Sequence, residues 1–346
     1  MHMADALISP AVGGTMWAVS GGLIAYSAKK VREEADDRKI PLMGVLGAFI
    51  FAAQMINFTI PGTGSSGHLG GGMILAILLG PWSAFLALAS VLTVQALFFA
   101  DGGLLALGCN ILNMGFFTCF FAYPLVYKKI TGGSLDKKRV MIGAVTAAVI
   151  GLQLGAFGVV VETLASGISE LPFKTFVLLM QPIHLGIGVV EGLVTAGVVS
   201  FMLKARPEIL AAAAQRQPIG VSVKGALAGL AAAAVLTGAA LSWFASANPD
   251  GLEWAMLRTS GREELESSGK LHGLLGALQA KTAFLPDYGF RKPEEAPAAP
   301  DGEGAPAPAW PAVDAGTSVA GLVGGISTLL MTGLIGFALR RGKAAA

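Results

Sequence analysis

The chain has 346 residues, 54% of them hydrophobic and only 13% charged, and a net charge of +2. A mean hydropathy of +0.67 excludes an ordinary soluble domain, and the near-neutral balance offers no argument for a nucleic-acid partner. The apolar residues fall in long uncharged runs of about 20, the length that crosses a bilayer as a helix. The fold class is therefore read as all-α, a polytopic membrane protein embedded in lipid.

The chain opens Met1-His2-Met3-Ala4-Asp5. A terminal amine followed at once by histidine is a chelate in waiting: the amine, the backbone nitrogen of His2 and its imidazole can bind one metal and close small rings. Such a donor set is nitrogen-only and nearly planar, which suits Ni(II) or Cu(II) better than Zn, Mg or Ca. Met1 is expected to persist, because removal of an initiator methionine requires a small second residue. The alternative is an ordinary exposed histidine. The start lacks the positive n-region of a secretory signal, so the first span is read as retained.

Span one runs from about Pro10 to Ala28 and ends against Lys29-Lys30-Val31-Arg32. Span two, Pro41 to about Ile60, runs into Pro61-Gly62-Thr63-Gly64-Ser65-Ser66-Gly67-His68-Leu69-Gly70-Gly71-Gly72, a segment too glycine-rich for a regular helix. A short apolar piece reaches Leu79 before Gly80-Pro81-Trp82 breaks it. Further spans cover Ser83 to about Ala100, Leu104 to Tyr127, Val140 to about Leu164 and Thr175 to Leu203. Gly225 to Ala245 and Gly316 to Leu339 complete the chain, separated by a long hydrophilic segment. Within that segment an amphipathic helix is predicted around Leu265, Leu271, Leu274, Leu275 and Leu278, followed by a Pro, Ala and Glu-rich linker from Lys292 to Pro311. The expectation is about nine transmembrane helices, a seven-helix unit over 1–217 and a two-helix hairpin with an outer loop over 218–346.

Of the 24 Lys and Arg residues, 17 fall in the loops after spans one, five and seven and at the C-terminus. The positive-inside rule puts those loops in the cytoplasm, the N-terminus outside and the C-terminus inside. Cys109 and Cys119 would lie about 15 Å apart on a continuous helix, too far for a disulfide, and read as buried packing.

Among candidate site residues, His68 is a second metal ligand or a wet residue of a simple turn. Broken backbone at membrane depth is tolerated only where protein or a cavity covers it, and transporters commonly bind substrate at such breaks. Asp5 and Asp101 either orient a ligating imidazole or cap helices; Asn57, Asn110 and Asn113 are further polar candidates. His184 and Glu191, seven residues apart on one helix, share a face roughly. Glu191 and Glu162 require partners inside the membrane, either on an ion path or as packed polar contacts. No P-loop, zinc-protease motif or nucleophile arrangement occurs, so no enzymatic activity is expected.

The opening Met1-His2-Met3-Ala4-Asp5, the Gly-Ser-Ser-Gly-His68-Leu-Gly-Gly loop, the Phe99-Ala100-Asp101-Gly102-Gly103 turn, and Gln181-Pro-Ile-His184-Leu-Gly with Glu191-Gly192 together resemble the NikM/CbiM family over residues 1 to about 205. These are substrate-binding components of energy-coupling-factor importers for nickel and cobalt. The hairpin with Pro286-Asp287-Tyr288-Gly289-Phe290 is similar to the NikN/CbiN partner, here fused. The resemblance implies a four-nitrogen, near-planar site made by the Met1 amine, the His2 backbone and ring nitrogens, and His68. It also implies a transmembrane coupling subunit (NikQ/CbiQ-like), a separate ATPase subunit (NikO/CbiO-like) and residence in a bacterial or archaeal cytoplasmic membrane. Ni(II) is then the transported substrate, with no prosthetic group. Co(II) is the alternative cargo, and a self-sufficient secondary transporter or an assembly subunit are the competing classes. Family members often begin Met-His-Ile with a glycine after the acidic residue; here Met3 and Ala6 stand in those places. His272 is expected to take no part in ligation.

Overall fold

The computed structural model describes residues 2–34, 36, 38–169, 171–215, 217–265, 269–291 and 310–344. The linker predicted over Lys292 to Pro311 falls almost wholly outside them. The chain is a helical bundle: α1 (Pro10–Glu34), α2 (Lys39–Gln54), α3 (Gly72–Leu79), α4 (Pro81–Phe99), α5 (Leu107–Thr131), α6 (Lys137–Ser166), α7 (Phe173–Ala205), α8 (Pro207–Gln215), α9 (Lys224–Ala239), α10 (Gly251–Ser260), α11 (Lys270–Thr282) and α12 (Ala315–Ala344). Five described helices, 81–99, 107–131, 137–166, 173–205 and 315–340, are long and apolar enough to cross a membrane, and 39–54 and 224–239 are shorter apolar helices. At eight residues, α3 is about 12 Å long, so it reaches across less than half of a bilayer core of about 30 Å.

Burial explains the placement. Helices α2, α3 and α4 are apolar all round and sit inside the bundle. By contrast α7 and α12 bury one stripe and turn Leu193 (58% exposed), Phe201 (66%) and Leu334 (67%) outward, the surface expected against lipid. The fused hairpin closes where α9 meets α12. A Cβ on Gly321 would lie 2.3 Å from the carbonyl oxygen of Gly238, so only glycine permits that backbone approach.

The glycine-rich stretch forms a small antiparallel hairpin, Phe58–Ile60 paired with Ser65–Gly67, which the sequence reading did not anticipate. The second strand ends at Gly67, and His68 to Gly71 lead into α3. At the same end, the amide of Ser66 donates to Pro249 O (2.8 Å) and that of Ser246 to Asn57 O (2.7 Å). At the opposite end Asp36 accepts the amide of Ile219, and the Arg38 guanidinium donates to the carbonyl of Ile219. The predicted outer amphipathic helix is realised as α11, carrying Leu271, Leu274, Leu275 and Leu278, and α10 is a further helix that was not predicted. Leu265 precedes α11.

Candidate metal centre

The first described residues are folded inward. Met3 is fully buried, and its backbone is held like a strand: its amide donates to Asn110 Oδ1 (2.8 Å), while its carbonyl accepts Asn110 Nδ2 (3.2 Å) and the amide of Gly103 (2.9 Å). Asp5 accepts the amide of Ala106 at 2.9 Å, just ahead of α5. Two sequence-distant segments, 2–5 and 101–110, thereby form one wall. Met1, read as the amine donor, lies outside the described residues.

His2 is set against His68, with ring centroids 4.9 Å apart and planes 22° from parallel. Around His2 the protonation is dictated by its neighbours. Gln95 Nε2 donates to Gln54 Oε1 (2.9 Å) and to the Tyr288 oxygen (3.2 Å). Gln95 Oε1 is therefore free to accept only, and takes the N–H of His2 Nε2 at 3.1 Å. Burial lowers the His2 pKa to about 3, so the ring is neutral and Nδ1 carries a lone pair. That lone pair faces Asp101 Oδ1 at 3.2 Å. Two oxygen and nitrogen lone pairs face each other stably only with a proton or a cation between them. Burial raises the Asp101 pKa, and Tyr288 donates its hydroxyl to the other carboxyl oxygen.

His68 is tautomerically fixed in the same sense. Its Nδ1 lies 3.0 Å from Leu69 O, which can only accept, so Nε2 carries the lone pair and has no hydrogen-bond partner among the described residues. Burial lowers its pKa to about 4. The backbone behind it is clamped by Glu191, whose oxygens accept the amides of Gly70 (2.8 Å) and Gly71 (3.0 Å). Gly71 has φ +75°, and a Cβ there would strike Ile50 at 2.5 Å, which is why the loop needs glycine at this corner. Gln54 Nε2 donates to Gly70 O (2.9 Å), joining the His68 loop to Gln95 and so to His2.

A cavity of about 530 Å³ opens over this pair. Seven of its lining residues are carboxylic acids (Asp5, Asp101, Asp250, Glu253, Glu263, Glu264 and Asp287), and none is Lys or Arg. Such a lining draws cations inward. Asp250 is held by a capping box at the start of α10: it accepts the amides of Leu252 and Glu253, and Glu253 accepts the amide of Asp250. The neutral imidazoles line the same cavity as these acids, and imidazole nitrogen suits Ni, Cu, Zn and Fe. Among the described residues no three His, Cys, Asp or Glu side chains converge tightly enough to hold a metal alone.

Residues 2–209 match the model of a family described as cobalt uptake substrate-specific transmembrane region, CbiM. The chain belongs to the CbiM family. Residues 224–341 match the model of the PDGLE domain, the part read as the fused hairpin. A putative fused nickel transport protein NikMN of Archaeoglobus fulgidus is 36% identical, over 66% of this chain and 74% of that protein. A cobalt transport protein CbiM of Sorangium cellulosum is 31% identical, over 61% of this chain and 94% of its own length. A crystal structure of a truncated transition metal transporter superposes with a TM-score of 0.53 at 29% identity, covering 59% of this chain and 99% of that one. The family is a multi-pass membrane transport component rather than an enzyme, in keeping with the sequence reading.

Within this CbiM-family unit, His2, His68 and Asp101 come together. Asn57 lines the cavity. Glu191 serves the loop, and Glu162 accepts Asn113 Nδ2 at 2.6 Å as a packed polar contact. His184 lies outside the acidic cavity, behind His68. His272 donates through Nε2 to Ile8 O at 2.9 Å. The sequence reading missed Gln54, Gln95 and Asp250. A lone glutamine inside an apolar run was the available signal for the first two.

Proposed function

We propose that the chain is the substrate-specific subunit of an energy-coupling-factor importer that takes Ni(II) from the external side of a cytoplasmic membrane. The observation that carries this is the stacked His2–His68 pair, 66 residues apart in sequence, both rings neutral and both lining an acidic cavity. With the Met1 amine and the His2 backbone nitrogen added, the donors number four nitrogens, a near-planar set that favours Ni(II). Relatives named as nickel transport proteins support this cargo; the family's own description and its cobalt-transport members support Co(II) as the second reading.

Residues 1–217 hold the metal and 218–346 form the fused NikN/CbiN-like hairpin. Five of the seven acids around the cavity belong to that hairpin's outer segment, which supports a role in loading metal rather than ligating it. The sequence contains no P-loop, and on this reading a separate ATPase and a transmembrane coupling subunit drive the import.

The test is to place one residue ahead of Met1 and, separately, to make His68→Ala, then titrate the purified chain with Ni(II) alone. Extension should abolish high-affinity binding, and His68→Ala should weaken it while helical content stays intact. Undiminished binding by the extended chain overturns the reading. Competition by Co(II) decides the cargo: tighter Co(II) than Ni(II) binding reverses the assignment.

A further inference from the structure

Behind His68, on the side away from the acidic cavity, a second and much smaller space is enclosed by Gly67, His68, Gly70, His184, Asp250 and Gly251, with apolar neighbours. Its volume is about 10 Å³, close to the room of a single water-sized particle. His184 is 1% exposed. Its Nδ1 lies 2.8 Å from Met180 O, so that nitrogen donates; Nε2 carries the lone pair and has no partner among the described residues. His68, whose Nε2 is equally sealed from solvent and unpartnered, borders the same space. A buried polar atom normally has a partner, and leaving one without costs about 1–3 kcal/mol. Here two imidazoles, each with one such unpartnered nitrogen, line one small space that Asp250 also borders.

The fused outer segment seals this space. A Cβ on Gly251 would lie 3.1 Å from His184 Cε1 and 2.7 Å from Ile183 Cγ2, so the first residue of α10 rests directly on the imidazole. Asp250 and His68 border both the large cavity and the small one. They form the partition between them.

We infer that His184 and His68 make a second, inner site for a divalent transition-metal ion, reached from the outer site by ligand exchange. This rests on the reading of His2 and His68 as the outer site. The ion keeps its bond to His68 Nε2, loses the His2 and terminal donors, and gains His184 Nε2. The vacated amine and backbone nitrogen recover protons from water. Two neutral imidazoles hold such an ion more weakly than a chelate, as passage toward the interior requires. Asp250 supplies one compensating charge.

The experiment uses the full-length chain with Ni(II) alone as probe. His2→Ala should lose tight binding yet retain about one Ni(II) per chain at least tenfold more weakly. In that background His184→Gln should remove the remaining site, leaving no more binding than His2→Ala/His68→Ala. Residual binding that is absent in His2→Ala, or unmoved by His184→Gln, overturns the inner site. X-ray absorption on Ni(II)-loaded His2→Ala should count two imidazole ligands, and one or none overturns it independently of whether the double variants fold. Tight binding retained in His2→Ala sinks the outer-site reading instead, and the same His184→Gln comparison still decides the inner one.

Discussion

Glu191 accepts the amide of Gly70 at 2.8 Å across 121 residues of sequence, and with its other oxygen the amide of Gly71. A membrane-buried carboxyl is expensive, and here it is committed to two backbone donors just beyond His68. That commitment argues for loop positioning over a proton path. Glu191→Gln keeps one acceptor and turns an N–H₂ toward the second amide. We expect Ni(II) affinity to fall about tenfold with the helical content unchanged, as read by calorimetry and circular dichroism. Full affinity in a folded Glu191→Gln chain refutes the positioning role.

Tyr288 brings the fused hairpin into hydrogen-bond contact with the site. Its ring stacks on Phe99 (5.1 Å, 17°), and its hydroxyl donates to Asp101, which faces His2. Tyr288→Phe keeps the stacking and removes only the hydroxyl. Asp101 and the Gln95 amide then each lose a partner, and the metal affinity should fall roughly tenfold, the scale of outer-shell substitutions. If affinity is unchanged, the hairpin acts on the site by cover alone.

The acids at the cavity mouth predict a kinetic effect instead. Glu263 and Glu264 line the cavity but carry no hydrogen bond to either imidazole. Replacing both by Gln should slow Ni(II) association roughly two- to tenfold at low ionic strength, with dissociation unaltered. Stopped-flow measurements at rising salt check this, because screening should erase the difference. A changed off-rate would place these residues nearer the ion than the structure has them.

Much of this molecule was legible before its coordinates. Long uncharged runs place α4 to α7 and α12 within a few residues, because a bilayer demands length and apolarity from each helix independently of its neighbours. The Gly80-Pro81 break between α3 and α4 was equally readable. His2, His68 and Asp101 stood out as polar residues at the ends of apolar runs. What escaped was relational. The pairing of Phe58–Ile60 with Ser65–Gly67 depends on a turn that glycine permits but does not specify. Gln54 and Gln95 matter only because two helices bring them into one chain of hydrogen bonds. Asp250 reaches the site through a capping box on a helix outside the recognised metal-binding unit, and no local pattern connects it to His68.

The two imidazoles also set a pH dependence. Burial lowers His68 to about 4 and His2 to about 3, against about 6.5 in the unfolded chain. Below about pH 6.5 the unfolded state therefore binds more protons than the folded one. Stability contributed by these rings is complete above that pH and is lost progressively as the pH falls toward 4 and then 3. Thermal unfolding of the metal-free chain should show Tm dropping across this window, and His2→Gln/His68→Gln should flatten the drop. The same neutrality makes a second expectation about binding. At pH 7.5 the rings hold no proton that Ni(II) must displace, so protons released on binding come from the terminal amine, whose usual pKa is about 8, and from the His2 amide. Calorimetry in buffers of different ionisation enthalpy should count more than one proton per ion. A count near zero would mean that imidazoles alone hold the metal and that the terminus takes no part.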